Sequence, residues 1–203
     1  DLSQDSLPEV CDHVLAPSGL EGGGTVSRFE RPSHSFSDAI AVIGMSGRYP
    51  GSDDLEELWG HLSSGRDLTK EVTRWDLRSL YAAEGRDGCL RGGFVRGIDE
   101  FDPQFFNISG IEAAYTDPQQ RLFLQEAWHA LEDAGYAGAG AEGQHWGVYV
   151  GYNGSDYHPL NRAKPPAQAM WGGAASILSA RLPYFLDLQG AAVTVDTACS
   201  SSL

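Results

Sequence analysis

A strand, a helix and a second strand follow one another near the end of the sequence, and this order constrains the fold more than any other feature. Residues 146–151 and 191–195 are short runs rich in apolar and β-branched side chains, each next to a glycine. Between them, residues 174–186 are apolar over a length that suits a buried helix. Strands that alternate with helices in this way pair mostly in parallel. The sequence therefore predicts an α/β fold.

The clearest single helix is predicted at 117–134. Asp117 is a good N-cap, Pro118 suits the first helical position, and Gln120 stands where a capping box requires it. Gly135 is placed to end the helix. One apolar stripe of this helix is formed by Phe123, Ala127, Leu131 and Ala134, with Leu124 and Trp128 beside it.

Three further segments have weaker patterns. Residues 39–43 are an apolar run ended by Gly44, which predicts a buried strand. Residues 52–65 show apolar side chains at helical spacing and acids near the start, which predicts a helix. Residues 66–116 scatter aromatic side chains among glycines and charges, and we expect loops and short helices that pack these aromatics onto the core.

The first 37 residues differ in composition from the rest. They contain Pro8, Pro17, Pro32 and the run of three glycines at 22–24, and no helical or strand period passes through them. Such a segment is typical of a linker or tether. We therefore expect residues 1–37 to tether an ordered part at 38–203.

Composition excludes several classes of function. The chain has 28 acidic residues against 14 Lys and Arg, which argues against a nucleic-acid-binding surface. It contains no apolar run of the length that spans a membrane, and residues 1–9 do not resemble a signal peptide. Cys11, Cys89 and Cys199 are odd in number and widely spaced, so they suit neither a disulfide framework nor a zinc site. We expect a reducing cytoplasm.

Cys199 is the strongest candidate for a chemical role. It follows the predicted strand 191–195 after a short turn, and its neighbours Ala198 and Ser200–Ser202 are small. A turn from a strand into a helix would place the thiol at a helix N-terminus, whose free N–H groups stabilise a thiolate and receive the oxyanion of an attacked thioester. The alternative is a buried cysteine that acts as a small apolar side chain.

Several stretches resemble the ketosynthase domains of modular polyketide synthases, and they occur in that family's order. The resemblance runs from about residue 38 to residue 203. The stretches are AVIGMSGRYPG at 41–51, FDPQFFNIS at 101–109, DPQQRL at 117–122, ALEDAGY at 130–136 and DTACSSSL at 196–203.

This resemblance implies a β-ketoacyl synthase of the thiolase-like fold, of which the chain holds the N-terminal part. Cys199 would accept an acyl chain from an acyl carrier protein. A malonyl-type extender on a second carrier would lose CO₂, and its carbanion would attack the Cys199 thioester. The carriers hold their acyl groups on phosphopantetheine, and the ketosynthase itself binds no metal or redox cofactor. Family members are homodimers.

The sequence departs from the family at one point that matters. The two catalytic histidines and a lysine of the family lie well beyond the nucleophile, whereas this chain stops at Leu203. We weigh a part of a longer polypeptide, one half of a split ketosynthase completed by a partner, and a remnant kept as a docking module for a partner chain or carrier. In each case we expect no elongation by the chain alone. None of its histidines matches a family motif: His13, His34, His61, His129, His145 and His158.

Other residues are weaker candidates. Met170 and Trp171 would line the acyl channel, although an ordinary packing role is equally compatible with them. Tyr157, with Asp156, resembles a pair near the entrance of the active site; the alternative is a surface loop. His158 has no motif that supports a catalytic role.

Three further residues or pairs have predicted structural roles. Asp196 is expected to orient the turn before Cys199 through hydrogen bonds. Gly172-Gly173 either widens the acyl channel or reflects family drift. Pro183 is expected to kink or end its helix, because a proline within a helix lacks the N–H donor.

Overall fold

The computed structural model describes residues 39–84, 88–155, 157 and 165–201. Contacts divide the chain into residues 1–40 and 41–203, and only Ala39 and Ile40 of the first unit are described. The predicted linker at 1–37, together with Cys11, Asp156 and His158, lies outside the described residues. In chain order the elements are α1 (Leu55–Ser63), β1 (Lys70–Glu71), α2 (Leu77–Glu84), β2 (Arg91–Gly92), α3 (Gly110–Tyr115), α4 (Pro118–Asp133), β3 (Val148–Gly151), α5 (Ala175–Leu186) and β4 (Ala192–Val195).

Strands β3 and β4 pair in parallel, with Val148 opposite Ala192 and Gly151 opposite Val195. Helix α5 connects them and packs against both strands. This βαβ unit confirms the strand–helix–strand order that the sequence predicts. It also explains why α5 is so apolar, because one of its faces is covered by the sheet and another by α4.

The core lies between β3, α5 and α4. Val148 and Val150 of β3 are buried, whereas Tyr149 between them is exposed, so one face of the sheet is covered. Leu124 of α4 and Leu178 of α5 are almost fully buried in the same cluster. The other buried members are Phe106, Ala141, Tyr152, Leu182 and Leu186.

The N-terminus of α4 forms as predicted, with one exception. The carboxylate of Asp117 accepts a hydrogen bond from the N–H of Gln119 at 2.7 Å, and Pro118 occupies the first helical position. Gln120 does not complete the predicted capping box. Its side chain instead donates to the carbonyl of Ala174 at 3.2 Å and accepts from Arg181 at 2.9 Å. Tertiary contacts with α5 therefore take the place of the local bond.

Helix α1 starts at its own N-cap, Asp54, whose carboxylate accepts from the N–H of Glu57 at 2.8 Å. The predicted helix is confirmed, although Trp59 and Leu62 of its apolar pattern are largely exposed. Among the described helices, none is both long and apolar enough to cross a membrane.

The two caps allow a matched prediction about stability. Asp117 is 2% exposed and also receives the hydroxyl of Ser155, whereas Asp54 is exposed. We expect Asp117→Ala to lower the free energy of unfolding by about 2 kcal/mol, from the lost cap and the lost buried hydrogen bond. Asp54→Ala should cost about 0.5–1 kcal/mol. Urea unfolding of both variants measures the difference, and equal losses would contradict the role assigned to burial.

The aromatic residues of 101–106 pack onto the core as predicted. Phe101 stacks on Phe106 at 5.2 Å between ring centroids, and Phe105 meets the ring of Trp128 edge to face at 5.0 Å. Phe185 of α5 joins them, 5.2 Å from Phe106. These rings hold the segment before α3 against α4 and α5.

The segment between α1 and α3 is less well covered. Arg78 of α2 forms an exposed ion pair of 2.6 Å with Glu71, and this hydrogen bond holds the pKa of the Glu71 carboxyl below its usual value. Hydrogen bonds from Ser79 lower the pKa of Asp76 in the same way. Trp75 is 55% exposed, so the prediction that the aromatics of this segment pack onto the core is wrong for this side chain.

The strand predicted at 39–43 is wrong. This segment is irregular, and Ile40, Val42 and Ile43 are 95%, 76% and 63% exposed. The chain beyond it is held by α4, where the N–H of Met45 donates to a carboxylate oxygen of Asp133 at 2.9 Å. Because this anchor is a helix rather than the free edge of a strand, the apolar run gains no hydrogen-bonded partner along its backbone.

Pro183 lies in the last turn of α5, and the helix continues to Leu186. Asp187 then adopts a left-handed conformation, with φ of 51°, and the N–H of Leu188 donates to the Pro183 carbonyl at 2.9 Å. Thus the helix ends one turn after the proline, in accord with the prediction that Pro183 kinks or ends it. Removing one internal N–H costs little this close to the end of a helix.

Candidate active site

Cys199 lies on a tight turn that directly follows β4. The strand ends at Val195, whose carbonyl accepts the N–H of Tyr152 at 3.0 Å. A single 3₁₀ turn, Ala198–Ser200, then carries Cys199, and its thiol is free and exposed. This exposure is contrary to the alternative that Cys199 is a buried apolar side chain. Asp196 orients the turn as predicted, since its carboxylate accepts the N–H of Ala198 at 3.0 Å.

Two hydroxyl groups tie this turn together. Ser201 Oγ accepts the N–H of Thr197 at 2.8 Å and donates to the carbonyl of Ala198 at 2.7 Å. Ser200 Oγ donates to the carbonyl of Thr197 at 2.9 Å. Ala198 has a φ of 54°, a left-handed conformation that is uncommon for a residue with a side chain. Cys199 thus sits inside a turn closed by its own small neighbours.

The structure modifies the predicted position of Cys199 in one respect. The described turn has three residues and is 3₁₀, so Cys199 does not lie at the N-terminus of a described α-helix; residues 202–203 lie outside the described part. In the part of the chain that is described, no side chain or backbone group hydrogen-bonds the thiol or the Cys199 N–H. Both groups are therefore available to a substrate.

The candidates Met170, Trp171 and Tyr157 lie together at the N-terminus of α4. Met170 and Trp171 are 68% and 43% exposed, in the turn that leads to Gly172. The carbonyl of Gly172 accepts the N–H of Asp117 at 2.9 Å. The Tyr157 hydroxyl donates to the carbonyl of Ala114 at 3.3 Å. The described contacts of these residues tie them to α3 and α4, and none joins them to the Cys199 turn.

Ser155 links this cluster to the helix cap. The Ser155 hydroxyl donates to the carboxylate of Asp117 and accepts the N–H of Tyr157 at 3.2 Å. The side chain of Gln119 reaches the carbonyl of Gly154 at 3.5 Å. The loop after β3 is thereby attached to the start of α4.

A buried ion pair supports the same region, and sequence reasoning missed it. Arg181 of α5 is 9% exposed and contacts the carboxylate of Glu112 at 2.8 Å. Its Nε donates to the side-chain oxygen of Gln120 at 2.9 Å, and a second guanidinium nitrogen lies 3.5 Å from the hydroxyl of Thr116. A single arginine in an otherwise apolar helix was the signal that could have indicated this network.

The Gly172-Gly173 pair does not widen a channel at Gly172. Gly172 is buried, and a Cβ atom there would overlap the carbonyl oxygen of Tyr115. Gly173 is exposed, and a Cβ atom there would meet the hydroxyl of Ser155 at 3.5 Å, an ordinary contact. A close approach of two backbone segments therefore explains the first glycine only.

This difference gives a matched prediction. Gly172→Ala should lower the free energy of unfolding by about 2 kcal/mol, because two backbone segments must separate to admit the methyl group. Gly173→Ala should have little effect, since its surroundings accept the same group without movement. Thermal unfolding monitored by circular dichroism measures both. A Gly173→Ala loss equal to that of Gly172→Ala would contradict the close packing argued for Gly172.

Comparison with solved structures identifies the class of protein to which this fold belongs. The ketosynthase from module 6 of the bacillaene synthase from Bacillus subtilis 168 aligns with a TM-score of 0.70 and 42% sequence identity. The oxazolomycin ketosynthase domain OzmH KS7 of Streptomyces albus JA3453 aligns with a TM-score of 0.62 and 35% identity, over 80% of this chain and 29% of that one. The fold is the N-terminal part of the thiolase-like fold of condensing enzymes, and it is α/β as predicted.

Residues 37–203 match the family model for the N-terminal domain of β-ketoacyl synthases. The chain therefore belongs to the β-ketoacyl synthase family, and it is a ketosynthase sequence of the polyketide synthase type. Polyketide synthase PksL of Bacillus subtilis is 42% identical over 172 residues, or 82% of this chain. The non-reducing polyketide synthase esdpA of Penicillium shearii is 39% identical over 205 residues, or 98% of this chain.

The chain spans only a small part of these proteins. It covers 4% of PksL, 9% of esdpA and 28% of the solved bacillaene ketosynthase chain. The family is thus established for this segment. The activity, substrates and partners of a complete protein are matters for proposal.

Proposed function

We propose that Cys199 accepts an acyl chain from an acyl carrier protein, and that the complete ketosynthase domain extends this chain by decarboxylative Claisen condensation. The observation that carries this proposal is the exposed, unbonded thiol on a closed turn directly after β4, within a segment that matches the family. A nucleophile of this kind needs access for a thioester and a fixed backbone around it.

In the first step, the Cys199 thiolate attacks the carbonyl carbon of the carrier's acyl thioester. The carbonyl π electrons move onto oxygen, and the tetrahedral intermediate then expels the phosphopantetheine thiolate to leave an acyl-cysteine. The Cys199 N–H, unbonded among the described groups, supports a role as one donor to this oxyanion. The phosphopantetheine belongs to the carrier and is a substrate arm rather than a cofactor of this chain.

In the second step, a malonyl-type extender on a carrier loses CO₂. The electron pair of the broken carbon–carbon bond forms the new bond to the acyl carbon, and the Cys199 thiolate is the leaving group. The product is a β-ketoacyl chain on the carrier. The complete domain would act as a homodimer in the cytoplasm, with the acyl carrier protein as its transient partner.

The 203 residues alone should accept an acyl group without elongating it. Decarboxylation develops negative charge on the extender, and the family stabilises this charge with histidines. No histidine of this chain lies in a motif that matches them. The family model matched here is that of the N-terminal domain, which supports a division of the catalytic groups between this segment and a C-terminal one.

Intact mass spectrometry with acetyl-pantetheine tests this function. The chain is incubated with the thioester alone and again with the C-terminal part of a ketosynthase added, and circular dichroism first establishes that it is folded. A gain of one acetyl group supports acyl transfer, and a gain that requires the added part indicates a divided condensing enzyme. A β-ketoacyl product made from a malonyl thioester by the chain alone would refute the predicted lack of elongation.

A second candidate is a docking module that binds a partner chain or carrier without catalysis. The observation that favours it is the open face of the β3–β4 sheet, on which Tyr149 is 69% exposed and Val193 and Val195 are each 38% exposed. An exposed apolar face of this kind is typical of a contact surface. A folded chain that gains no acetyl group in either incubation, but binds the added part, would favour this candidate.

A further inference from the structure

We propose that Ser201 is a positioning residue for acyl transfer to Cys199: its hydroxyl clamps the turn in the one conformation that presents the thiol and the Cys199 N–H together. This inference rests on the proposed function, and it adds a residue whose role is to hold the nucleophile rather than to react.

The clamp is formed by two hydrogen bonds through one hydroxyl. Ser201 Oγ accepts the N–H of Thr197 at 2.8 Å and donates to the carbonyl of Ala198 at 2.7 Å. The Ser201 N–H donates to the same carbonyl at 3.1 Å. Cys199 lies between the residues that these bonds connect. Its own backbone is therefore held from both sides while its polar groups remain unbonded in the described structure.

The clamp is needed because the turn contains an unfavourable backbone conformation. Ala198 has a φ of 54°, in the left-handed region that disfavours any residue with a Cβ atom. Such a conformation persists only where surrounding interactions over-determine it. The Ala198 N–H is bonded to Asp196 and its carbonyl is bonded to Ser201, so both ends of this peptide unit are held.

The sheet holds Ser201 from the other side. Gly151, the last residue of β3, lies so close to Ser201 that a Cβ atom on the glycine would overlap the Ser201 carbonyl. Gly151 is paired with Val195 at the end of β4, just before the turn begins. Ser201 thus connects the turn to the ends of both strands, which places Cys199 at a fixed point relative to the sheet.

The test compares Ser201→Ala with Ser200→Ala, the same chemical change one residue away. Ser200 bonds only to Thr197 and does not span Ala198. With acetyl-pantetheine, Ser201→Ala should lower the maximal rate of Cys199 acetylation about tenfold, the effect of losing one hydrogen bond of ordinary strength, with KM unchanged. Ser200→Ala should stay within threefold of the parent chain, and Ser201→Thr, which keeps the hydroxyl, should restore most of the rate.

A second substitution tests the reason for the clamp. Glycine adopts the left-handed conformation without penalty. In an Ala198→Gly background, Ser201→Ala should therefore reduce the rate less than it does in the parent chain. Equal loss from Ser200→Ala and Ser201→Ala, an unchanged rate in Ser201→Ala, or a loss that appears only as a higher KM would each overturn the positioning role.

The outcome can be separated from failure of the proposed function. If the parent chain is not acetylated in any incubation, the proposed function fails, and Ser201 is then tested by iodoacetamide alkylation, which needs no acyl transfer. The rate at Cys199 is divided by the rate at Cys89, the other exposed free cysteine of the described residues. A severalfold fall of this ratio in Ser201→Ala, at an unchanged unfolding temperature, supports the clamp, and an unchanged ratio overturns it.

Discussion

Cys199→Ala should abolish the acetyl mass gain from acetyl-pantetheine, whereas Cys89→Ala should leave the full gain of one acetyl group per chain. Both cysteines are free and exposed, so they are matched in accessibility. They differ in their surroundings, since Cys199 sits on the closed turn after β4 and the Cys89 thiol donates to the carbonyl of Arg91 at 3.0 Å. A thiol engaged in this way lacks the free backbone donor that an acyl oxyanion requires.

Two controls sharpen this prediction. Cys199→Ser keeps a side chain of similar size and should show no gain on the same timescale, because an unactivated hydroxyl is a much weaker nucleophile than a thiolate. Cys11→Ala should behave like the parent chain. Peptide mass mapping locates the acetyl group. An acetyl group on Cys89 or Cys11, or a full gain in Cys199→Ala, would refute the assignment of the nucleophile.

Arg181→Met should have the largest effect on stability, a loss of about 3 kcal/mol in the free energy of unfolding. Arg181 is 9% exposed and the Glu112 side chain is 25% exposed, so the substitution leaves a carboxylate with little access to water and no counter-ion. It also removes the donor to Gln120, which is fully buried. Burial of an unpaired charge is more costly than the loss of the ion pair itself.

Arg78→Met is the matched control. Its ion pair with Glu71 is shorter, at 2.6 Å, but the two side chains are 71% and 59% exposed. Water replaces the lost partner there, and the urea midpoint should not change measurably. The double variant Arg181→Met with Glu112→Leu should recover part of the stability, because no charge remains unpaired. Equal losses for Arg181→Met and Arg78→Met would contradict the argument from burial.

Local signals were sufficient for the elements that fold around their own sequence pattern. The N-cap Asp117 and Gly135, with φ of 74°, bound α4 as predicted, and both act through atoms within a few residues of themselves. The apolar runs of β3, α5 and β4 were also predicted, because an α/β unit buries one continuous face of each element. Such features depend little on what the rest of the chain does.

Predictions that depended on a distant partner were the ones that failed. The apolar run at 39–43 has a strand-like composition, but a strand forms only beside another strand, and this segment leads instead into a contact with α4. Gln120 has the spacing of a capping box, yet Arg181 and the Ala174 carbonyl compete for its side chain. In both cases a contact between residues far apart in sequence outweighed a local preference.

The sequence by itself determined the family, the α/β order and the position of Cys199, because these follow from short motifs and from periodic patterns that persist in any context. Only the tertiary structure decided that Gly172 lies against Tyr115, that Arg181 pairs with Glu112, and that Ser201 links the Cys199 turn to the sheet. The physical reason is that close packing, burial of charge and a left-handed backbone conformation are properties of the surroundings of a residue. Those surroundings exist only after segments distant in sequence have come together.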